Sequence, residues 1–554
     1  MMISDLLVLG PLLRYVGETS AAVWVETKQA AEVAVTAAGR TWTAATFTAH
    51  GHHYALVDVD GLAPGSMQDY VVKIDGAAVW PPADSPYPSS RIATLDFTKP
   101  LRMAFGSCRT SVAHDKQGNR SHGVDAMRAY ALNMAGGDHD KWPDMVLFLG
   151  DQVYADETSD AMQEFIAARR DIDEPPGEEL KDYEEYTHLY TLAWNDPANR
   201  WLLSTLSSAM IFDDHDVRDD WNTSFTERQQ MAATPWWQDR IVGALGSYWV
   251  YQHIGNLSAA QRSEDPLWQL IVAGRGSDTE VDITERLDEL ADRADKQPDS
   301  FRWSYARDLG DTRLIVVDSR AARVLEPDRR SMLDDQEMQW LDEHLQGGFD
   351  HLLIGTSLPF LLAPGLHNLE AWSEAVSEGA WGRRAAKLGE RLRQAADFEH
   401  WAAFQQGFLQ VADMVLEVAN GKRGRPPATV TFLSGDVHHS YIAEVERHGR
   451  STRILQAVCS PIRNPLPAPV RYAMAFLAYG LAAPMGRLAR RANVPDPPFR
   501  WSNLQGPWFD NNLATLEITG RRMRMRWEKG VVKPGHDESP TVEVVCDIEI
   551  SPVT

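Results

Sequence analysis

Cysteine is scarce in this chain of 554 residues. The three cysteines, Cys108, Cys459 and Cys546, lie far apart and are odd in number. This spacing excludes a disulfide framework, and no Cys-x-x-Cys pair marks a zinc or redox motif. Such cysteine usage fits a protein of a reducing compartment.

Positive charge is also in short supply. The chain has 54 Lys and Arg against 78 Asp and Glu, a formal net charge of −24. Nucleic-acid binding depends on clustered positive charge that releases counterions, so we expect no nucleic-acid partner. With 44% apolar and 24% charged residues, the composition is that of an ordinary folded globular protein.

Long apolar runs are absent as well. The longest uncharged apolar stretch, residues 473–486, is interrupted by Pro484 and falls short of the roughly 20 residues that span a bilayer. Residues 470–491 therefore predict a helix packed on the core or, alternatively, a peripheral membrane contact or a lid over the substrate. The N-terminus has no basic, apolar or twin-Arg signal, so we expect a cytoplasmic protein, exported only if a signal is missing from this chain.

The first 97 residues and the remainder follow different patterns. Short alternating runs up to residue 97 predict a small β-sandwich, and the proline-rich stretch 80–90 reads as the linker that leaves it. Brief apolar strands and longer helical stretches then alternate over 98–554, which favours an α/β domain with covered sheets. The predicted helices include Asp160–Arg170, Arg329–Leu345 and Arg391–Asn420.

Polar side chains follow four of the apolar runs in the second region. We call the polar segments that follow these runs the four tails. Because the carboxyl ends of strands line one crevice of an α/β sheet, we expect the four tails to converge on one site. The runs end in Gly106-Ser-Cys108-Arg109, Gly150-Asp151-x-x-Tyr154, Asp213-Asp214-His215 and Gly435-Asp436-Val-His438.

The chemistry of these tails predicts bound metal ions. Several carboxylates packed together in a partly dry cleft repel one another unless cations neutralise them. Thiolate and phenolate donors suit a ferric or another transition ion, whereas carboxylates suit Ca²⁺, Mg²⁺ or Mn²⁺. No Gly-x-Ser-x-Gly, His-Glu-x-x-His or phosphate-loop signature offers another hydrolase mechanism.

Taken in order, the four blocks resemble those of the PhoD-like alkaline phosphatases, in the calcineurin-like metallophosphatase superfamily. The resemblance extends over about residues 1–550 and includes the late segment Gly506–Asn512. It implies a metallophosphatase β-sandwich core flanked by helices, preceded by a small all-β domain of fibronectin-III type. We therefore expect an N-terminal domain over 1–97 and a catalytic domain over 98–554.

The family resemblance also implies roles for individual residues. Fe³⁺ and Ca²⁺ are the implied cofactors, and spacing alone leaves Mn²⁺ and Zn²⁺ as alternatives. His215 would protonate the leaving group as the catalytic residue. The implied metal ligands are Cys108, Asp151, Tyr154, Asp214, Asp436 and His438, with Asp151 between the two metals.

Three arginines are weaker candidates for binding the substrate phosphate, because a guanidinium group matches phosphate oxygens. They are Arg109, Arg218 and Arg463. Each could instead balance the acidic site or lie on the surface.

The predicted activity is metal-dependent hydrolysis of phosphate esters, by a hydroxide held between two metals that attacks phosphorus in line. Monoesters are the first expectation, on a small molecule or a lipid headgroup. A phosphodiesterase or phospholipase-type hydrolase is one alternative. The other is a non-catalytic binding module in which the metals are structural.

Overall fold

The computed structural model describes residues 5–276, 279–327, 329–395, 398–447, 451–467, 469, 471 and 481–550. Up to Ala93 the chain forms only strands, arranged in two sheets that face each other. One sheet contains Leu7–Val16, Ala21–Thr27, His52–Val59 and Phe47–Ala49, in that order. The other contains Arg40–Ala45, Glu32–Ala37, Met67–Ile74 and Ala77–Trp80, and Arg91–Ala93 pairs with Met67–Ile74.

The first of these sheets is covered on both faces. In strand Ala21–Thr27 every residue is buried, whereas Glu32–Ala37 in the second sheet alternates between buried and more exposed positions. Val23 and Val25 face the second sheet, and Trp24 packs into the core of the following region. The later strand Val281–Asp282 joins the edge of the same sheet beside Phe47–Ala49. The predicted all-β start is thus confirmed, while a domain boundary at residue 97 stays a prediction.

The rest of the chain is built on two further sheets. One has six strands, in the order Ser207–Ile211, Met145–Leu149, Leu101–Gly106, Asn512–Thr519, Arg522–Val531 and Thr541–Ile550; the first three run parallel. The other has seven, in the order Tyr305–Leu309, Thr312–Val317, His351–Thr356, Thr429–Ser434, Arg453–Val458, Ser440–Val445 and Trp501–Trp508.

These two sheets stack face to face, as the resemblance to metallophosphatases implies. Gly355 lies at the contact, where a Cβ atom would approach Leu149 Cδ2 to 3.1 Å. Four of the parallel strands are buried at every position because both faces are covered: Met145–Leu149, Ser207–Ile211, His351–Thr356 and Thr429–Ser434. The α/β class with a sandwich core is confirmed.

Helices flank the sandwich and connect its parallel strands. Among the described residues, those of at least seven residues are Lys116–His122, Ala126–Ala135, Asp160–Arg169, Tyr183–Trp194, Pro197–Thr205, Phe225–Ala232, Trp237–Tyr248, Pro266–Ala273, Thr284–Lys296, Asp335–His344, Pro364–Ser377, Arg383–Ala395, Gln405–Ala419 and Ala482–Arg491.

Two of the predicted helices differ from the observed ones. The helix predicted over 329–345 begins only at Asp335, where Asp334 caps it by accepting hydrogen bonds from two backbone amides. The single helix predicted over 391–420 is wrong, because Arg383–Ala395 and Gln405–Ala419 are separate helices. Between them, Glu399 and His400 bond to Arg320 and Asp436, which follow strands of the seven-stranded sheet, and these tertiary contacts override the helical pattern.

Residues 470 and 472–480 of the segment predicted over 470–491 lie outside the described residues. The described part forms the helix Ala482–Arg491, which lies against helix Pro364–Ser377. No helix in the described part of the chain has the length and apolar character to cross a membrane.

A half-buried polar contact joins the N-terminal strands to the rest of the fold. His52 lies between two carboxylates, with Nδ1 3.0 Å from Glu26 and Nε2 2.7 Å from Glu184 on helix Tyr183–Trp194. Burial alone would lower the pKa of His52, but the hydrogen bonds and charges of the two glutamates raise it to about 9. His52 is therefore held as a cation in the folded protein.

This contact predicts a pH-dependent stability. The folded pKa lies above the unfolded value of about 6.5, so the contribution is complete below that pH and is lost as pH rises through about 9. Between pH 6 and 10 we expect the difference in unfolding free energy between wild type and His52→Gln to shrink by about 1–3 kcal/mol. Urea unfolding of wild type and His52→Gln at both pH values measures this difference in free energy. The variant His536→Gln, at an exposed histidine, gives the baseline. A constant difference would contradict the prediction.

Candidate metal centre

Three of the four polar tails leave neighbouring parallel strands of the six-stranded sheet at one edge. The first two tails continue the pairing of their strands, because the Cys108 amide donates to the Gly150 carbonyl and the Arg109 amide to that of Asp151. Cys108 and Asp151 adopt left-handed backbone conformations, with φ of 57° and 49°. Such conformations are sparsely populated for non-glycine residues and concentrate at functional sites.

The fourth tail arrives from the facing sheet, after strand Thr429–Ser434. Gly435 permits the approach, because a Cβ atom there would lie 1.8 Å from Ser107 Oγ. The Asp436 amide donates to that Ser107 oxygen at 3.2 Å, and Asp436 and His438 are also left-handed, with φ of 66° and 50°. Tails from both sheets therefore meet at one point, as the sequence predicts.

Four carboxylates come together where the tails meet. Asp151, Asp213, Asp214 and Asp436 each offer an oxygen, and these oxygens all lie within 4.8 Å of one another. Burial, together with the neighbouring negative charges, raises the pKa of Asp151 well above its usual range. Burial likewise raises the pKa of Asp214 to about 6, although Arg320 opposes the shift.

The donor set fits metal cations. Within the described residues, Asp151 Oδ1 and Asp213 Oδ2 are buried and accept no hydrogen bond. A buried carboxylate oxygen without a partner is costly, and a cation among the four carboxylates would remove both that cost and their mutual repulsion.

The thiol and the phenol predicted as ligands lie beside these carboxylates. Cys108 Sγ is 3.2 Å from Asp151 Oδ2 and accepts a hydrogen bond from Ser460. Burial, with the charge of Asp436, raises the pKa of the Cys108 thiol to about 12. Burial also raises the pKa of Tyr154 well above 10. Both groups would be protonated near neutral pH unless a cation held their anionic forms.

His215 lies at the edge of this cluster with its ring against that of Tyr154, the centroids 4.6 Å apart. Its Nδ1 is 2.9 Å from Asp156, which fixes the orientation of the imidazole. Burial lowers the pKa of His215, but the charges of Asp156 and Asp214 outweigh burial and raise it well above the usual value. The arrangement therefore keeps a proton on His215. Its other ring nitrogen, Nε2, lies 3.8 Å from exposed Asp219.

His438 is half-buried, and burial lowers its pKa to about 4, which leaves the neutral imidazole that metal ions prefer. The adjacent His439 is different, because its Nδ1 lies 2.7 Å from the Val437 carbonyl and its ring stacks near Tyr441. His439 thus has partners of its own, and His438 stays the predicted metal ligand of the pair.

The three arginines predicted for phosphate have protein partners. Arg109 is buried and pairs with Asp125 at 2.8 Å, and Arg463 donates to the carbonyls of residues 112 and 113. Arg218, which is partly exposed, lies 3.4 Å from Glu179. The structure does not bring these guanidinium groups into the carboxylate cluster.

Instead, a fourth arginine occupies the cluster. Arg320 is fully buried and forms ion pairs with Asp213, with Asp214 at 3.1 Å and with Glu399. It follows strand Thr312–Val317, so the strand-end pattern that marks the other four tails also applies here and could have identified it. Among described side chains, Arg320 is thus a fixed cation inside the site.

His400 is a second group that the sequence analysis missed. Its Nε2 is 3.1 Å from Asp436 and its Nδ1 is 2.7 Å from buried Glu370. Burial would raise the pKa of Asp436, but the bond and charge of His400 lower it to about 2, which keeps the carboxylate ionised. Residue 400 lies inside an apparent helical pattern, so no sequence signal marks it.

Comparisons with known proteins bear on the family and the fold of this chain. The model of the PhoD-like phosphatase family matches residues 121–480, and a domain of unknown function (DUF7800) matches residues 4–92. A comparison with curated protein sequences finds no match.

Among solved structures, that of PhoD aligns over 100% of this chain and 94% of its own, with 14% identity and a TM-score of 0.58. A purple acid phosphatase from yellow lupin (Lupinus luteus) seeds aligns over 98% of this chain and 74% of its own, with 9% identity and a TM-score of 0.48. The family model spans well over half of the chain, and its phosphatase activity accords with the buried carboxylate site. The chain belongs to the PhoD-like phosphatase family.

Proposed function

We propose that the chain hydrolyses phosphate monoesters, with phosphodiesters as a second substrate class, at a centre of two cations. The observation that carries the proposal is the set of four carboxylates, three buried and Asp436 half-buried, with oxygens within 4.8 Å of one another and a thiol and a phenol beside them. When bound, the cations supply an activated water nucleophile and neutralise the phosphoryl oxygens. The family resemblance implies Fe³⁺ with Ca²⁺, and the same thiol, phenol and carboxylate donors leave Mn²⁺ and Zn²⁺ as alternatives.

The residues divide between the two cation positions by donor chemistry. We assign Cys108 and Tyr154, with their sulfur and phenolic oxygen, to the ferric position, and Asp151 to both positions. Asp214, Asp436 and His438 would be the remaining ligands of the two cations. Arg320 and His400 hold the carboxylates Asp214 and Asp436 in place through the bonds described above.

His215 is the residue that we propose protonates the leaving group. An alkoxide leaving group needs a proton, and the structure keeps one on His215 through Asp156. A cleft of about 750 Å³ opens beside this pair, lined by Tyr154 and Asp156 and by polar residues of the 110–122 and 157–164 segments. The cleft provides room for the alcohol portion of the substrate.

Two finer expectations stay proposals. The ester is a small molecule or a lipid headgroup, and a phospholipase-type reaction is the alternative that uses the same centre. The cytoplasmic location also stays a prediction.

A binding module with structural metals is disfavoured because His215, oriented by Asp156, adds a proton donor that metal binding does not need.

Replacement of the shared ligand tests the metal centre. Asp151→Asn should lower hydrolysis of p-nitrophenyl phosphate by at least about 100-fold and reduce the bound metal, because an amide is a weaker, uncharged ligand. Chelation should abolish the wild-type activity, and re-addition of iron with calcium, manganese or zinc should restore it. Turnover measurements give the rate of hydrolysis, and elemental analysis gives the metal content.

Asp334→Asn is the matched control, since it makes the same change at a buried helix N-cap where one carboxylate oxygen accepts both amide hydrogen bonds and asparagine caps equally well. It should keep both metal and activity. Chelated wild type with full activity on mono- and bis-p-nitrophenyl phosphate would exclude the proposed centre.

The leaving group tests His215. In His215→Gln we expect hydrolysis of an alkyl phosphate to fall by about 100-fold or more, because the departing alkoxide needs a proton. Hydrolysis of p-nitrophenyl phosphate should fall much less, since nitrophenolate leaves without one. Rates for a series of esters with leaving groups of rising pKa give the measurement, with His344→Gln as control. Equal losses for all esters would contradict a role in protonation.

A further inference from the structure

Basic and apolar side chains are concentrated on one surface of this acidic protein. Helices Arg383–Ala395 and Ala482–Arg491 carry one acidic residue between them, Glu390, although the chain as a whole has 78. Their exposed basic side chains are Arg383, Arg384, Lys387, Arg391, Arg487, Arg490 and Arg491. We call these two helices, with Trp381, the basic face.

Glu390 does not neutralise this surface. Its carboxylate accepts a hydrogen bond from Ser224 and pairs with Arg393, which is buried. The exposed side of the helix therefore remains cationic. Arg490 pairs with exposed Asp496, beyond the end of the second helix. From Arg463 to Pro495 the sequence contains no Asp or Glu, so no acidic residue of this stretch offsets the arginines of the second helix.

Large apolar side chains are exposed among these cations. Leu388 is 68% exposed, Trp381 43% and Leu392 37%. Leu388 and Leu392 are four residues apart and lie on one side of their helix, with Lys387 and Arg391 beside them. Buried Gly389 packs against Ser377 on the opposite side, so the leucines point away from the core.

The two helices form one continuous surface. The indole of Trp381 donates a hydrogen bond of 3.2 Å to the carbonyl of Arg491, at the end of the second helix. Both helices lie against the same helix, Pro364–Ser377. Trp, Leu and Arg side by side on amphipathic helices form the composition that binds at a bilayer interface, where basic side chains extend to lipid phosphates.

We propose that the basic face docks the protein on an anionic lipid surface. The charge complementarity is specific to this face, since the rest of the chain is acidic and would be repelled by such a surface. A symmetric contact with a second copy would bring the same cations together, so a two-fold dimer through this face is disfavoured.

Docking would also hold the metal centre near the lipid. Helix Arg383–Ala395 contacts Ser224 through Glu390 and Gln394, and the chain then leads to Glu399 and His400 in the site. The proposal concerns binding and does not depend on the reaction proposed above.

Vesicle sedimentation of the full chain tests the proposal. At physiological ionic strength the protein should bind vesicles that contain one-third phosphatidylglycerol and should not bind pure phosphatidylcholine vesicles. The triple variant Arg384→Glu, Lys387→Glu, Arg391→Glu should bind at least about 30-fold more weakly. Leu388→Ser with Leu392→Ser should also weaken binding, by about 10-fold, although it changes no charge.

A matched triple variant, Lys99→Glu, Arg286→Glu, Lys422→Glu, makes the same charge change at side chains 68%, 64% and 66% exposed elsewhere. It should bind like wild type. All variants should keep wild-type activity on p-nitrophenyl phosphate, which separates this test from that of the reaction. Equal binding by both triple variants, or no binding of wild type to anionic vesicles, would overturn the proposal. A dimer in solution that the first triple variant dissociates would overturn it too.

Discussion

Repulsion among buried carboxylates is the constraint on which the rest of the structure depends. Asp151, Asp213, Asp214 and Asp436 present oxygens within 4.8 Å of one another in a site that burial has largely dried. Left alone, this arrangement would be unstable, because like charges interact strongly where water is excluded. The fold maintains it with two sheets that fix the tails, and with Arg320 and His400 as built-in cations.

Fixed protein cations and bound metal ions perform different tasks in this site. Arg320 engages Asp213, Asp214 and Glu399, while His400 engages Asp436 from the side of Glu370. Buried oxygens of Asp151 and Asp213 remain without a hydrogen bond, so the protein groups balance only part of the negative charge. The incomplete balance leaves a place for metal cations beside His215, the residue proposed to protonate the leaving group.

Charge is segregated across the whole molecule as well as within the site. The chain is acidic overall, which favours the binding of cations at the site. The basic face is the exception, and one of its two helices, Arg383–Ala395, precedes Glu399 and His400 in the chain. At the opposite end of the chain, the N-terminal sheet packs on the sandwich through aromatic contacts and through His52 between Glu26 and Glu184. The basic face and the N-terminal sheet thus each add interactions outside the two-sheet sandwich.

The sequence alone determined the all-β start, the α/β core and the strand-end residues that carry the chemistry. These follow from local rules, because apolar runs mark buried strands and the carboxyl ends of parallel strands meet at one edge. Cys108, Asp151 and Asp214 could be identified in this way, and Asp436 with them. The family resemblance supplied the two-sheet architecture and the proposed roles.

Only the tertiary structure decided which charged groups complete the site. Arg109 and Arg463 looked suited to phosphate, but their guanidinium groups are taken up by Asp125 and by backbone carbonyls. Glu399 and His400 lay within a helical pattern that the fold breaks. The physical reason is that an ion pair between residues distant in sequence leaves no periodic trace, so its partners are known only when the chain has folded.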